Sequence, residues 1–140
     1  MHKKIALVTG GANGIGEAIA LMLLESGLNV IIVDKDVKKL EYLHEKHPDL
    51  NTVVCDLSQF ESVKEMVAHL GEKSLKINYL INDAAIQYIE PIEELDFDHW
   101  DEVIGLNLKT PVYLMKTLGK TMGKGDQIIN ISSVHGVYPR

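Results

Sequence analysis

Five short apolar runs recur along this chain, and a stretch with helical spacing follows each of the first four. Ile5-Ala6-Leu7-Val8 leads into a glycine-rich turn, Val30-Ile31-Ile32-Val33 ends at Asp34, and Thr52-Val53-Val54-Cys55 ends at Asp56. Ile77-Asn78-Tyr79-Leu80-Ile81 and Gln127-Ile128-Ile129-Asn130-Ile131 complete the set. Short runs of this kind read as strands buried on both faces. Between them, Ile15, Ile19, Met22 and Leu23 fall at i, i+4, i+7 and i+8, one face of a helix that Gly27 closes. Asp36 is placed to cap the next helix and Pro48 to stop it. Ser58 with Glu61 has the spacing of a capping box, and Phe60, Val63, Val67 and Leu70 mark the inward face of the helix it opens. After a loop through Pro91, a longer helical stretch spans about residues 98–122, where Pro111 marks a junction between two helices. Five strands with four helical connections predict right-handed crossovers and an α/β architecture, a doubly wound, mostly parallel sheet covered on both faces.

Length and composition agree. The 140 residues make one domain, here taken as residues 1–140, and 46% apolar with 24% charged residues excludes a disordered chain, a collagenous repeat or a disulfide scaffold. Fourteen basic against twenty acidic side chains give −6, so no basic stripe is available and nucleic acid is not an expected partner. The longest unbroken apolar run, residues 18–24, is far short of a membrane span, and no membrane partner is expected. His2, Lys3 and Lys4 precede an apolar run that glycines cut short, so no targeting segment is read there. Cys55 is the single cysteine, which suits a reducing cytoplasm and a small buried hydrophobe.

A doubly wound sheet places its ligand outside the carboxyl ends of its strands. At those ends stand Thr9-Gly10, Asp34, Asp56, Asn82-Asp83 and Ser132-Ser133. The first turn, Thr9-Gly10-Gly11-Ala12-Asn13-Gly14-Ile15-Gly16, has glycines that let backbone N–H groups approach a pyrophosphate at the positive end of the next helix. Its spacing is T-G-x-x-x-G-x-G, and it lacks the Lys-Ser/Thr ending of a P-loop, which disfavours nucleoside triphosphate hydrolysis. His44 and His47 share a helix face but have no third ligand, so no metal site is expected. The acidic run Glu90, Glu93, Glu94 and Asp96 reads as a solvated loop, and His135 as a loop histidine.

That turn resembles the one found in the short-chain dehydrogenase/reductase family, and the likeness extends along nearly the whole chain. Asp34 lies eighteen residues after Gly16, where an acid takes the adenosine ribose hydroxyls. Asp56-Leu57 resembles the pair that lies against adenine, and Asn82-Asp83-Ala84-Ala85 resembles N-N-A-G with departures at its second and fourth positions. Asn107, within Leu106-Asn107-Leu108, matches the family's helix asparagine. Ser133, within Ile131-Ser132-Ser133-Val134-His135-Gly136, matches its catalytic serine.

The resemblance implies a Rossmann-type sheet, truncated after the fifth strand, and hydride transfer between a nicotinamide cofactor and an alcohol or carbonyl substrate. It implies cofactor contacts at Gly10, Asn13, Gly14, Ile15, Gly16, Asp34, Asp56, Leu57, Asn82 and Ala84, with Asn107 and Ser133 as catalytic residues. NAD is expected over NADP, because Asp34 repels a 2′-phosphate and Asn13 carries no positive charge, although Lys35 tempers this. The family's tyrosine acid, with a lysine four residues on, has no match: Tyr138 is the one tyrosine after Ser133 and no lysine follows it. These residues alone are therefore expected to be inactive, and a non-catalytic dinucleotide-binding module stands as the alternative. A fifth strand left as an apolar edge and an apolar helix around Leu108 and Val112 lead to the expectation of a homo-oligomer, or of association with a carboxyl-terminal segment. A methyltransferase on a similar sheet explains neither the first turn nor the Ser132-Ser133 segment.

Overall fold

A computed structural model describes residues 2–137. Its strands are β1 (Ile5–Thr9), β2 (Asn29–Asp34), β3 (Leu50–Val54), β4 (Ile77–Asn82) and β5 (Gln127–Asn130). All pair in parallel in the order β3-β2-β1-β4-β5, so the chain reverses its direction of winding between β1 and β4. The helices are α1 (Gly14–Glu25), α2 (Val37–Lys46), α3 (Phe60–Glu72), α4 (Phe97–Ile104) and α5 (Thr110–Leu118).

Ala6, Leu7 and Val8 are wholly buried, which a strand achieves only when both faces are covered. Alternation sends Leu7, with Ile31 and Val33, into a core with Val63, Met66 and Leu70 of α3 and Leu114 and Leu118 of α5. It sends Ala6 and Val8, with Val30 and Ile32, into a second core with Ala20 of α1 and Leu40 and Leu43 of α2. Asp36 caps α2 as expected, accepting from Lys39 N at 3.1 Å.

Two local expectations are corrected. The buried face of α1 centres on Gly16 and Ala20, while Ile15 and Met22 are each 60% exposed. Small residues bring this helix close to the sheet, while Ile19 and Leu23 of the expected face do pack, half-buried, against the core. The Ser58–Glu61 capping box does not form. Ser58 donates through both N and Oγ to Asp56 Oδ1, at 3.0 and 2.7 Å, and Glu61 pairs with Lys64, because the carboxylate two residues back is the nearer acceptor. Pro111 stands, as expected, where two helices meet: it lies in the first turn of α5, which α4 joins through a π-helical turn, Gly105–Lys109.

The acidic loop is also more ordered than its charge suggests. Glu90 accepts from Asp96 N and bonds His99 Nδ1, and the His99 and Tyr88 rings stack with centroids 3.8 Å apart. Cys55 is buried as expected, and burial with the nearby Asp56 and Glu65 charges pushes its thiol up to about 11. His44 Nδ1 lies 2.8 Å from the Leu50 carbonyl oxygen. Among the described residues no helix is long and apolar enough to cross a membrane.

Candidate functional site

The site begins with Thr9 at the end of β1. Its buried hydroxyl accepts from Asp83 N and Ala84 N, at 3.0 and 3.1 Å, and so ties the first turn to the segment after β4. Gly10 follows in the left-handed region at φ +66°, and a β-carbon there would stand 3.0 Å from Ala84 Cα. Gly10 N donates to the Val33 carbonyl at 2.8 Å, which anchors the turn across to β2. Gly14 opens α1 at φ +52°, with nothing among the described residues within 4 Å of where a β-carbon would sit. Gly16 is different. A β-carbon on it would stand 2.3 Å from the Gly10 carbonyl oxygen and 2.7 Å from Asp83 Oδ2. Gly14 therefore leaves room for a ligand over the amino end of α1, whereas Gly16 brings that helix against the turn and Asp83.

Beside this turn lies a cleft of about 380 Å³. The fold brings eight of the expected cofactor residues to its wall: Gly10, Asn13, Gly14, Ile15, Asp34, Asp56, Leu57 and Ala84. Asp34 is half-buried, its two oxygens accepting from Ala12 N at 3.2 Å and Asp36 N at 3.1 Å. A carboxylate oxygen has room for a second donor, so these bonds fix Asp34 without closing it to a ligand hydroxyl. Leu57 is held from behind by Thr110, whose hydroxyl donates to its carbonyl at 2.7 Å. Asn13 Oδ1 accepts from the Lys39 ammonium, so the turn that carries no charge of its own receives one from α2.

The remaining candidates sit elsewhere. Gly16 lies beneath the turn, and Asn82 is buried at the end of β4, where its Nδ2 donates to Asn130 Oδ1 at 2.8 Å. Asn107 lies in the π-helical turn, and its amide grips one peptide group: Oδ1 accepts from Ile86 N and Nδ2 donates to Ile86 O, both at 2.9 Å. Pro111, four residues on, has no N–H to offer the Asn107 carbonyl. Ser133 is exposed past β5, its hydroxyl accepting from His135 N at 3.2 Å. Tyr138 lies outside the described residues.

Lys35, Cys55, Asp83, Ala85 and Leu106 also line the cleft. In the sequence Asp83 stands out only as a departure from a motif, with no signal of a role. Burial raises its carboxyl above the ordinary value, and the nearby Gly16 N–H pulls the other way. Gly11 carries no separate signal in the turn either, although a β-carbon there would meet Ile32 Cγ2 at 2.5 Å.

A family model described as short chain dehydrogenase matches residues 4–140. The chain is 37% identical over 139 residues to an uncharacterized oxidoreductase of Thermotoga maritima, covering 95% of this chain and 54% of that one. Its fold matches 4-hydroxyisoleucine dehydrogenase complexed with NADH at TM-score 0.90 and 30% identity, over 99% of this chain and 58% of the other. A metagenomic short-chain oxidoreductase in complex with NADP matches at TM-score 0.87 and 28% identity, over 98% and 65%. The chain spans about half the length of the curated relatives it matches. A five-stranded parallel sheet of Rossmann type, the T-G-x-x-x-G-x-G turn at its crossing point and a family match over residues 4–140 together place this chain in the short-chain dehydrogenase family.

Proposed function

We propose that the cleft binds a nicotinamide dinucleotide, NAD in preference to NADP, and that the chain is the cofactor-binding part of an oxidoreductase acting on a small-molecule alcohol or carbonyl. One observation carries this reading. Gly14, left-handed and open above, starts α1 at the sheet's crossing point, and Asp34 lines the same cleft. The NADH- and NADP-bound neighbours support a nicotinamide cofactor in general. The dinucleotide, when bound, supplies hydride exchange.

This chain's residues bind and orient. The first N–H groups of α1 hold the pyrophosphate, Asp34 takes the ribose hydroxyls, and Asp56 and Leu57 flank the adenine. Ala84 lines the opposite wall, and Asn82 holds the end of β4 beside it. Ser133 hydrogen-bonds the substrate oxygen. Asn107 holds the Ile86 segment with its side chain and leaves its own carbonyl for a water. Asp34 opposes a 2′-phosphate, and Lys35 with the Lys39–Asn13 pair reduces that preference without reversing it. The single, buried Cys55 fits a cytoplasmic setting.

No Tyr-x-x-x-Lys follows Ser133 in this sequence, so the general acid has no match here. General acid–base help contributes on the order of 10²–10⁴-fold, and residues 1–140 alone are expected to turn over slower by at least that factor. An assay over simple alcohols and ketones, with protein of verified mass, separates the outcomes. Robust turnover that vanishes in Ser133→Ala would contradict the expected inactivity.

A further inference from the structure

Asp83 stands where two anions compete. Its Oδ2 stands 2.7 Å from where a β-carbon on Gly16, the third residue of the twelve-residue α1, would sit, and its carboxylate lines the same cleft as Gly14 and Ile15. The first N–H groups of a helix have no partner within it and carry the positive end of its dipole, so an anion is favoured there. Asp83 supplies that anion from the end of β4, held by the bonds from Asp83 N and Ala84 N to Thr9. A dinucleotide bound at this turn brings its pyrophosphate to the same helix end.

We propose that Asp83 sets the affinity of the dinucleotide: its carboxylate competes with the pyrophosphate for the amino end of α1, so the dinucleotide binds with uptake of a proton at Asp83. The inference rests on the cofactor reading of the cleft. The other charged or titratable groups lining the cleft are Asp34 and Lys35 at the end of β2 and Asp56 with Cys55 after β3, the thiol of Cys55 being raised to about 11. On the remaining walls, α1 offers Gly14 and Ile15 and the π-helical turn offers Leu106, none of which titrates. Burial already favours the neutral carboxyl, and a nearby pyrophosphate favours it further. The sign follows. A carboxyl raised further by binding gives full affinity at low pH, and affinity falls as pH rises through the free-state value until it levels off above the bound-state value. Each unit of that rise corresponds to about a tenfold change in Kd.

Calorimetric titration of ADP-ribose into the whole chain and into Asp83→Asn, at a series of pH values between about 4 and about 8 and in buffers of different ionisation enthalpy, reads both affinity and protons. The wild type is expected to take up protons over the pH range in which its affinity falls, and to bind about tenfold more weakly at the higher end of the series than at the lower. Asp83→Asn keeps the shape, loses the charge, and is expected to bind at the higher pH about as tightly as the wild type does at the lower, with no uptake. Adenosine, which reaches Asp34 and Asp56 but carries no pyrophosphate, is expected to bind both proteins without uptake. An Asp83→Asn protein that keeps the pH dependence, or binds no tighter at the higher pH, overturns the proposal and leaves the cofactor reading intact. Failure of ADP-ribose to bind either protein at any pH of the series overturns both. Should Asp83→Asn melt well below the wild type, the wild-type titrations decide alone: uptake with ADP-ribose but not adenosine supports the proposal, and its absence overturns it.

Discussion

Gly14 and Gly16 are two residues apart in one motif and do different work. An alanine at Gly14 meets no neighbour but must sit in the left-handed region, which costs about 1–2 kcal/mol. An alanine at Gly16 drives its β-carbon to 2.3 Å from the Gly10 carbonyl oxygen, so α1 has to move from the turn. Overpacking of this kind costs about 1–3 kcal/mol, and the helix shift disturbs the binding wall as well. Urea unfolding is expected to show both variants destabilised, with dinucleotide affinity reduced more by Gly16→Ala than stability loss alone explains. The motif's existence is legible in the spacing, and so is Asp34. The division of labour among its glycines is not, because a one-dimensional pattern does not say which backbone lies 2–3 Å away. Gly11 and Asp83 escape a reading of the sequence for that reason: Gly11 faces Ile32, distant in sequence, and Asp83 faces Gly16 across the sheet's crossing point.

The elements themselves are legible wherever burial repeats at a fixed period. All five strands fall within a residue or two of their expected positions, since apolar runs in a parallel sheet leave little alternative. The α1 face departs from its apolar periodicity because small residues, Gly16 and Ala20, outcompete Ile15 and Met22 for the interior. The capping box fails because Asp56, two residues from Ser58, is the nearer acceptor. Asp126, just before β5, illustrates contacts invisible to periodicity. Its carboxylate accepts from Asn78 Nδ2 and Gly123 N, both at 2.9 Å, and pairs with Lys76 at 3.1 Å. The Asn78 bond first, then Gly123 and Lys76, pull its carboxyl down to about 2. A carboxyl lowered in the folded state stabilises above its unfolded value of about 3.9, and that contribution is lost as pH falls through about 2. Urea midpoints measured from neutral to acid pH are expected to fall over this window. In Asp126→Asn the midpoint is expected to be lower at neutral pH and the acid slope shallower.

At the scale of the whole molecule, two apolar surfaces lack cover among the described residues. Ile128 and Ile129 in β5 are 38% and 44% exposed at the sheet edge, which pairs with β4 alone. Ile104, Leu108 and Val112 repeat every four residues from α4 into α5 and are 38–57% exposed. Apolar edges and stripes of this kind invite another chain or segment. Light scattering at low micromolar concentration is expected to give a mass above the 15.6 kDa of one chain. A stable 15.6 kDa particle with no co-purifying fragment contradicts that expectation.

The central claim, a nicotinamide dinucleotide held between the first turn and Asp34, is tested most directly by calorimetric titration of NAD and NADP into the same preparation under identical conditions. Saturable binding of NAD at one site per chain is expected, with NADP weaker by about tenfold, the scale on which a ribose hydroxyl's bond to a carboxylate gives way to repulsion between two anions. Absence of binding by both, or NADP binding as tightly as NAD, would contradict it.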